Sequence, residues 1–165
     1  MSGILNVLVG LSSSRTLGST DVLTGGTATS SALFAGAAGD VVDNSTTTFY
    51  QASGAADATH YWQYDLGASN AKMIGAWRQY WDNVSSGIET ASIKASTAGT
   101  FSGEEVTIAT VDFNLLSASG YFQVSWSDPG GGATYRYWRI YSATCVNSYN
   151  GNRPKIFEFE AYAYT

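Results

Sequence analysis

One cysteine, two prolines and one histidine are spread over 165 residues, and each scarcity removes a class of protein. The single thiol, Cys145, cannot close an internal disulfide, so this is not a disulfide-stapled secreted domain. It reads as a small buried side chain. The lone histidine, His60, rules out a histidine-rich metal centre and leaves room for one His-based triad at most. Charged residues make up only 13% of the chain, with eight Lys and Arg set thinly against 13 Asp and Glu for a net charge of −5. Without a basic cluster, the electrostatic footprint of a nucleic-acid binder is missing. No apolar run approaches the roughly 20 residues of a membrane span. Met1–Leu11 is mildly apolar but lacks the positive start of a signal peptide.

Glycine (18 residues) and aromatics (14%) are plentiful, a mix that suits strands joined by many turns. The length supports one domain with a substantial core. Alternation supplies the strands. Trp62, Tyr64 and Leu66 share one face while Gln63 and Asp65 share the other. Met73–Trp81 is strand-like with imperfect alternation, and Ala91, Ile93 and Ala95 oppose Ser92 and Lys94. Val106 and Ile108 form a short pair, and Phe122, Val124 and Trp126 alternate with Gln123 and Ser125. Trp138 and Ile140 oppose Arg139, and Phe157, Phe159 and Ala161 oppose Glu158, Glu160 and Tyr162. The run Asp128-Pro129-Gly130-Gly131-Gly132 is a strong loop signal. About eight short strands with turn residues between them predict an all-β, antiparallel sandwich of jelly-roll type.

Residues 1–30 carry only Arg15 and Asp21 as charges and are rich in Ser, Thr, Gly and Leu. Composition leaves open an extended N-terminal arm or an added strand. The arm reading makes 1–30 an assembly anchor and 31–165 the sandwich. Ser31–Gly39 has room for one or two helical turns, followed by a loop over Asp40–Ser45 whose Asp, Asn and Ser favour turns.

Five motifs then fall in a recognisable order: the acidic turn Asp43-Asn44, the step Thr48-Phe49-Tyr50, the strand Trp62-Gln63-Tyr64-Asp65-Leu66-Gly67 followed by Ile74–Arg78, the run Arg136-Tyr137-Trp138-Arg139-Ile140, and the close Glu158-Phe159-Glu160-Ala161-Tyr162. Over about four-fifths of the chain this resembles the discoidin (coagulation factor 5/8 type C, galactose-binding-like) family of β-sandwich modules. Two departures stand out. Asn44 occupies the position of the family's usual turn glycine, which asparagine can fill because it tolerates the left-handed conformation. Phe49-Tyr50 replaces a tryptophan.

The resemblance implies a structural calcium held by the Asp40 carbonyl, the Asp43 side chain, the Ser45 carbonyl and the Glu158 side chain, with Ser53, or alternatively Thr48, completing the set. Hard cations take six to eight oxygens, and a turn offers several from few residues. The plainer reading is that Asp43 caps a turn and Glu158 is a solvated strand residue. The resemblance also implies a glycan surface on loops at one end of the sandwich. There aromatic faces stack on sugar C–H groups and Arg, His or Asn bond the hydroxyls. Candidates are His60, Tyr61, Arg78 and Trp81, and the late loop with Asn147, Tyr149, Asn150, Asn152 and Arg153. For any one of them the plainer reading is an ordinary loop residue. Trp62, Trp77, Trp126 and Trp138 read as core, and Arg136 and Arg139 as partners of Asp65 or of an aromatic face.

No nucleophile elbow, Cys–His pairing or phosphate-binding glycine loop is evident, and neither Glu104-Glu105 nor Glu158 with Glu160 has a cleft partner in the pattern. The expectation is a non-catalytic protein. Its main reading is a virion component, a phage tail or capsid-decoration protein, that touches other subunits or copies of itself through residues 1–30 and host-surface glycans through its sandwich. The alternative is a stand-alone secreted, lectin-like carbohydrate-binding module. The two place it on a virion or outside the cell.

Overall fold

A computed structural model describes residues 15–115, 118–128, 132–146 and 151–165 of the chain. Twelve strands run through them: β1 (Leu17–Asp21), β2 (Thr27–Ser30), β3 (Ala35–Gly36), β4 (Tyr50–Gln51), β5 (Tyr61–Asp65), β6 (Ile74–Trp81), β7 (Ile88–Ser96), β8 (Val106–Asp112), β9 (Gly120–Ser125), β10 (Tyr137–Cys145), β11 (Lys155–Ile156) and β12 (Glu158–Tyr164). A four-stranded sheet, β1-β12-β6-β9, faces a five-stranded sheet, β2-β5-β10-β7-β8, and a three-stranded sheet, β11-β4-β3, adds Tyr50 and Ile156 to the same core. The ladders are antiparallel, as expected from the alternation.

The core lies between the two larger sheets. Trp77, Trp138, Ile93, Ile140 and Phe159 are almost wholly buried there. Trp62, Trp77 and Phe159 form a triangle with ring centroids 5.0–6.0 Å apart. Burying each such large side chain stabilises the fold by roughly 1.5–3 kcal/mol. Trp126 is only half buried, and its indole N–H donates to the Ile74 carbonyl at 3.0 Å. Gln79, on β6, is completely buried. Its amide nitrogen donates to the Ile88 carbonyl (2.5 Å) and its amide oxygen accepts from the Ile88 N–H (3.3 Å), joining the two sheets across the sandwich.

Both arginines of the 136–140 run behave as their residue types suggest. The Arg136 guanidinium makes two bonds to the Asp65 carboxylate, at 2.6 and 2.7 Å. Arg139 is held between the rings of Tyr61 (3.7 Å) and Phe101 (3.9 Å).

Three placements differ from the sequence reading. Residues 17–21 and 27–30, expected within the arm, are strands of the sandwich: β1 pairs with β12 and β2 with β5. Short polar strands at sheet edges have no buried second face to announce them. Residues 1–14 lie outside the described residues. Within Ser31–Gly39 the chain forms β3, and a 3-10 helix then spans Ala38–Val42, reaching into the expected loop. Finally, β12 alternates as predicted, yet both of its faces are buried, so Glu158 and Glu160 are not solvated. Among the described residues no helix is long and apolar enough to cross a membrane.

Candidate functional site

Two groups of residues merit attention, one around the acidic turn and one at the loop end of the sandwich. The turn follows the 3-10 helix. Asn44 adopts φ 60°, the left-handed region that asparagine tolerates because its short amide can bond locally. That reversal wraps the chain back on Asp43, whose carboxylate accepts from the Ser45 N–H (2.9 Å) and the Thr48 hydroxyl (2.8 Å). The Thr48 hydroxyl also lies 3.3 Å from the Asp40 carbonyl. Asp40 directs its side chain elsewhere, to the Ala37 N–H at 2.8 Å.

Glu158, at the start of β12, closes the group. One carboxylate oxygen accepts from the Ser45 N–H at 3.0 Å. The other is buried without a hydrogen-bond partner, and the residue is 1% exposed. Burial, then the nearby Asp43 charge, pushes its carboxyl up to about 8. An orphaned buried carboxylate oxygen, with the Asp43 carboxylate, the Thr48 hydroxyl and the Asp40 carbonyl bonded into the same turn, is the kind of donor set a hard cation completes. Of the residues expected to hold calcium, Asp40, Asp43, Ser45 and Glu158 are brought together, and Thr48 joins them. Ser53 is exposed on the following loop, and none of the bonds that tie the others together reaches it. Only two carboxylates would serve, since no cluster of three acidic, His or Cys side chains occurs among the described residues.

Strand registers define the loop end. β5 begins at Tyr61 opposite Tyr141, and β10 ends at Cys145 opposite Ile88, where β7 begins. The loops 31–34, 52–60 and 82–87 and the segment 151–154 therefore emerge on one side. Backbone bonds knit them together: Phe34 N–H to Gln51 O (2.8 Å), Ala52 N–H to Pro154 O (2.9 Å), Ala56 N–H to Asn152 O (3.0 Å) and Ala58 N–H to Ser142 O (2.8 Å). Phe34 is 58% exposed on this surface, and the Arg153 guanidinium sits 4.6 Å from its ring centre. His60 is anchored through Nδ1, 3.3 Å from the Asp57 carboxylate and 3.2 Å from the Thr59 hydroxyl. Bonds from the Thr59 hydroxyl and N–H, with a smaller contribution from His60, hold the Asp57 carboxyl down at about 2. Gly54 leaves room for the imidazole, because a Cβ there would stand 2.1 Å from its Cε1. The cavity beneath His60 and Tyr61 offers only ≈ 10 Å³, about one water, too little to admit a sugar ring.

The other expected ligand residues scatter. Trp81 is 3% exposed, with its indole N–H given to the Ser85 carbonyl at 2.9 Å; it is core, not platform. Arg78 lies mid-strand on the outer side of the four-stranded sheet, paired with Glu160 at 2.5 Å and lying over the Tyr121 ring at 4.2 Å. Tyr61 turns to the outer side of the five-stranded sheet, against Tyr141 (5.4 Å) and Arg139. Asn152 belongs to the loop end, with φ 62°. Asn147, Tyr149 and Asn150 lie outside the described residues. Sequence reasoning passed over Phe34, because its Gly- and Ala-rich surroundings read as helical turns. The available signal was a Leu33-Phe34 pair with no alternating apolar partners, which marks a ring without a core to enter.

No family model and no curated protein sequence matches the chain. Solved structures do match. The CBM32-1 module of a family 31 glycoside hydrolase from Clostridium perfringens superposes with TM-score 0.62 at 14% identity, covering 82% of this chain and 93% of its own. The family 32 carbohydrate-binding module of C. perfringens NanJ, solved in complex with galactose, gives 0.61 at 17% identity over 83% and 93%. Chitosan-binding module 1 from a chitosanase/glucanase of Paenibacillus sp. IK-5 gives 0.63 at 19% identity over 88% and 100%. At such identities the likeness is one of fold: the chain has the antiparallel β-sandwich of these carbohydrate-binding modules.

Proposed function

We propose that the chain is a non-catalytic, lectin-like module that binds glycans outside the cell through its loop end. The observation that carries this reading is Phe34, an exposed ring on a rigidly bonded rim, with a guanidinium over it and the His60–Asp57 pair and Asn152 on the same rim. An aromatic face for sugar C–H groups, flanked by directional polar side chains, is the recognition chemistry of saccharides. The fold neighbours are carbohydrate-binding modules, which agrees with it. A catalytic reading gains nothing from the site. Burial pushes the Cys145 thiol up to about 12, away from the reactive thiolate.

A calcium ion held by Asp40, Asp43, Ser45, Thr48 and Glu158 belongs to the same proposal. It would fix the turn and the start of β12 without touching the ligand. The virion reading drew its support from the leader. Its strands β1 and β2 are integral to the sandwich, and the fold neighbours are modules rather than particle subunits, so the stand-alone module is preferred.

The test is a glycan array followed by calorimetry of the best ligand. Phe34→Ala is expected to weaken binding about tenfold or more, given what an aromatic contact contributes, while leaving the melting temperature unchanged. An array silent with and without calcium would overturn the proposal.

A further inference from the structure

Two cations at the loop end stand out in a chain of net charge −5. Arg153 rests on Phe34, as described. Lys155, two residues on, opens β11. Its partner residue on that strand, Ile156, is buried at 1% exposure, whereas Lys155 is half exposed. The Lys155 ammonium lies 4.2 Å from the Phe49 ring centre and 4.7 Å from that of Phe157. Those two rings are 5.9 Å apart.

Among the described residues neither cation joins an ion pair. All 13 acidic residues of the chain fall among the described residues. Arg15, Arg78, Lys94 and Arg136 each take a carboxylate from them, Asp128, Glu160, Glu105 and Asp65 respectively. Arg153 and Lys155, like Arg139 on the outer side of the five-stranded sheet, are instead seated on rings, which hold a cation in place through the ring quadrupole without neutralising it. A positioned, uncompensated guanidinium and ammonium are suited to charge-assisted bonds with an anionic oxygen, the guanidinium in bidentate fashion. Two residues apart in the chain, Arg153 and Lys155 have Cα atoms within about 7 Å of each other, a separation that one short oligosaccharide can span.

We propose that the loop-end surface selects anionic saccharides, those bearing carboxylate or sulfate groups, through Arg153 and Lys155. This rests on the glycan-binding reading above and narrows its ligand class. Phe34, Phe49 and Phe157 set the two cations, and the sugar's acidic groups supply the countercharge the protein withholds.

Calorimetry with length-matched oligomers of three kinds tests it: neutral, uronic-acid-bearing and sulfated. At low salt the expected preference for an acidic oligomer over the neutral one is about tenfold or more. Raising the ionic strength shrinks it by screening. Arg153→Gln and Lys155→Gln each reduce it, the double variant abolishes it, and Lys155→Arg retains most of it. The uronic-acid and sulfated arms show which anion is preferred. Neutral oligomers binding as well as acidic ones, or an acidic preference untouched by the double variant, overturns this inference and leaves the module reading intact. No binding to any saccharide overturns both. A thermal melt of each variant, expected to match that of the parent, separates lost recognition from lost folding.

Discussion

The backbone N–H of Ser45 lies 3.0 Å from the carboxylate of Glu158, a residue 113 positions later in the chain. That bond ties the acidic turn to the strand that closes the fold. It engages one carboxylate oxygen and leaves the other buried and unpartnered. A divalent cation bound there, as proposed, would supply what is missing. Calcium is therefore expected to raise the melting temperature, with a stabilisation of about 2.7 kcal/mol when its concentration is a hundred times its dissociation constant. Differential scanning calorimetry with calcium and with a chelator measures it. Glu158→Gln and Asp43→Asn should each remove the response. A parent protein indifferent to calcium would mean that this pocket holds no such ion.

Acid should weaken the fold through Asp65. The hydrogen bonds from Arg136, helped by the Gly67 N–H and opposed by burial, hold its carboxyl below the usual carboxylate range. A carboxyl lowered in the folded state contributes stability that is complete above its unfolded value of about 3.9 and fades as pH falls through the folded one. Urea midpoints followed between about pH 5 and pH 2 should decline in the parent. In Arg136→Gln the part of that decline owed to Asp65 should shrink. Equal slopes in the two proteins would sever the link.

Gly36 should not accept a side chain. Its φ is +74°, and a Cβ there would stand 1.7 Å from the Phe49 carbonyl oxygen, a backbone atom that cannot swing aside. Gly36→Ala is expected to destabilise by about 2 kcal/mol or more, combining left-handed strain with displacement of β4. Denaturant titration reads the loss. A change within a few tenths of a kcal/mol would show that β3 and β4 do not hold this approach.

Cys145, half buried, should react slowly in the folded protein. Burial, and then the charge of Glu89, pushes its thiol up to about 12, and thiols react as thiolates. A thiol reagent at pH 8 is expected to label it slowly when folded and quickly in denaturant. The linked effect on stability has a definite sign. It is absent below the unfolded value of about 8.5 and becomes a growing loss as pH rises from there towards the folded one. Rapid native labelling would contradict the burial.

The legible parts of the sequence were those with two-residue periodicity against a single core. β5, β7, β10 and β12 showed themselves because one face of each is apolar and packs between the sheets. Arg136 and Asp65 were pairable on paper because charged residues on adjacent half-buried strands need each other. The turn at Asp43-Asn44 was legible too, since only a few residue types tolerate that backbone. The illegible parts were those set by tertiary context. β1 and β2 are short, polar edge strands. β3 and β4 have two residues apiece, too few to show a period. Trp81 looked like a loop-tip platform, but its indole N–H finds the Ser85 carbonyl and the ring is buried. Phe34 and the Arg153 guanidinium that rests on it come from segments more than a hundred residues apart, and no local pattern joins them.

Gln79 imposes a constraint of its own. Because its amide both gives a proton to the Ile88 carbonyl and takes one from the Ile88 N–H, it behaves like one more rung of a ladder laid across the sandwich instead of along a sheet. Glutamate, nearly its twin in shape, has no N–H to offer and would turn a carboxylate oxygen towards that carbonyl in a dry interior. Leucine would fill the volume and strand both groups of Ile88. At this position the two facing layers are kept from sliding by chemistry that one amide side chain satisfies and its nearest substitutes do not.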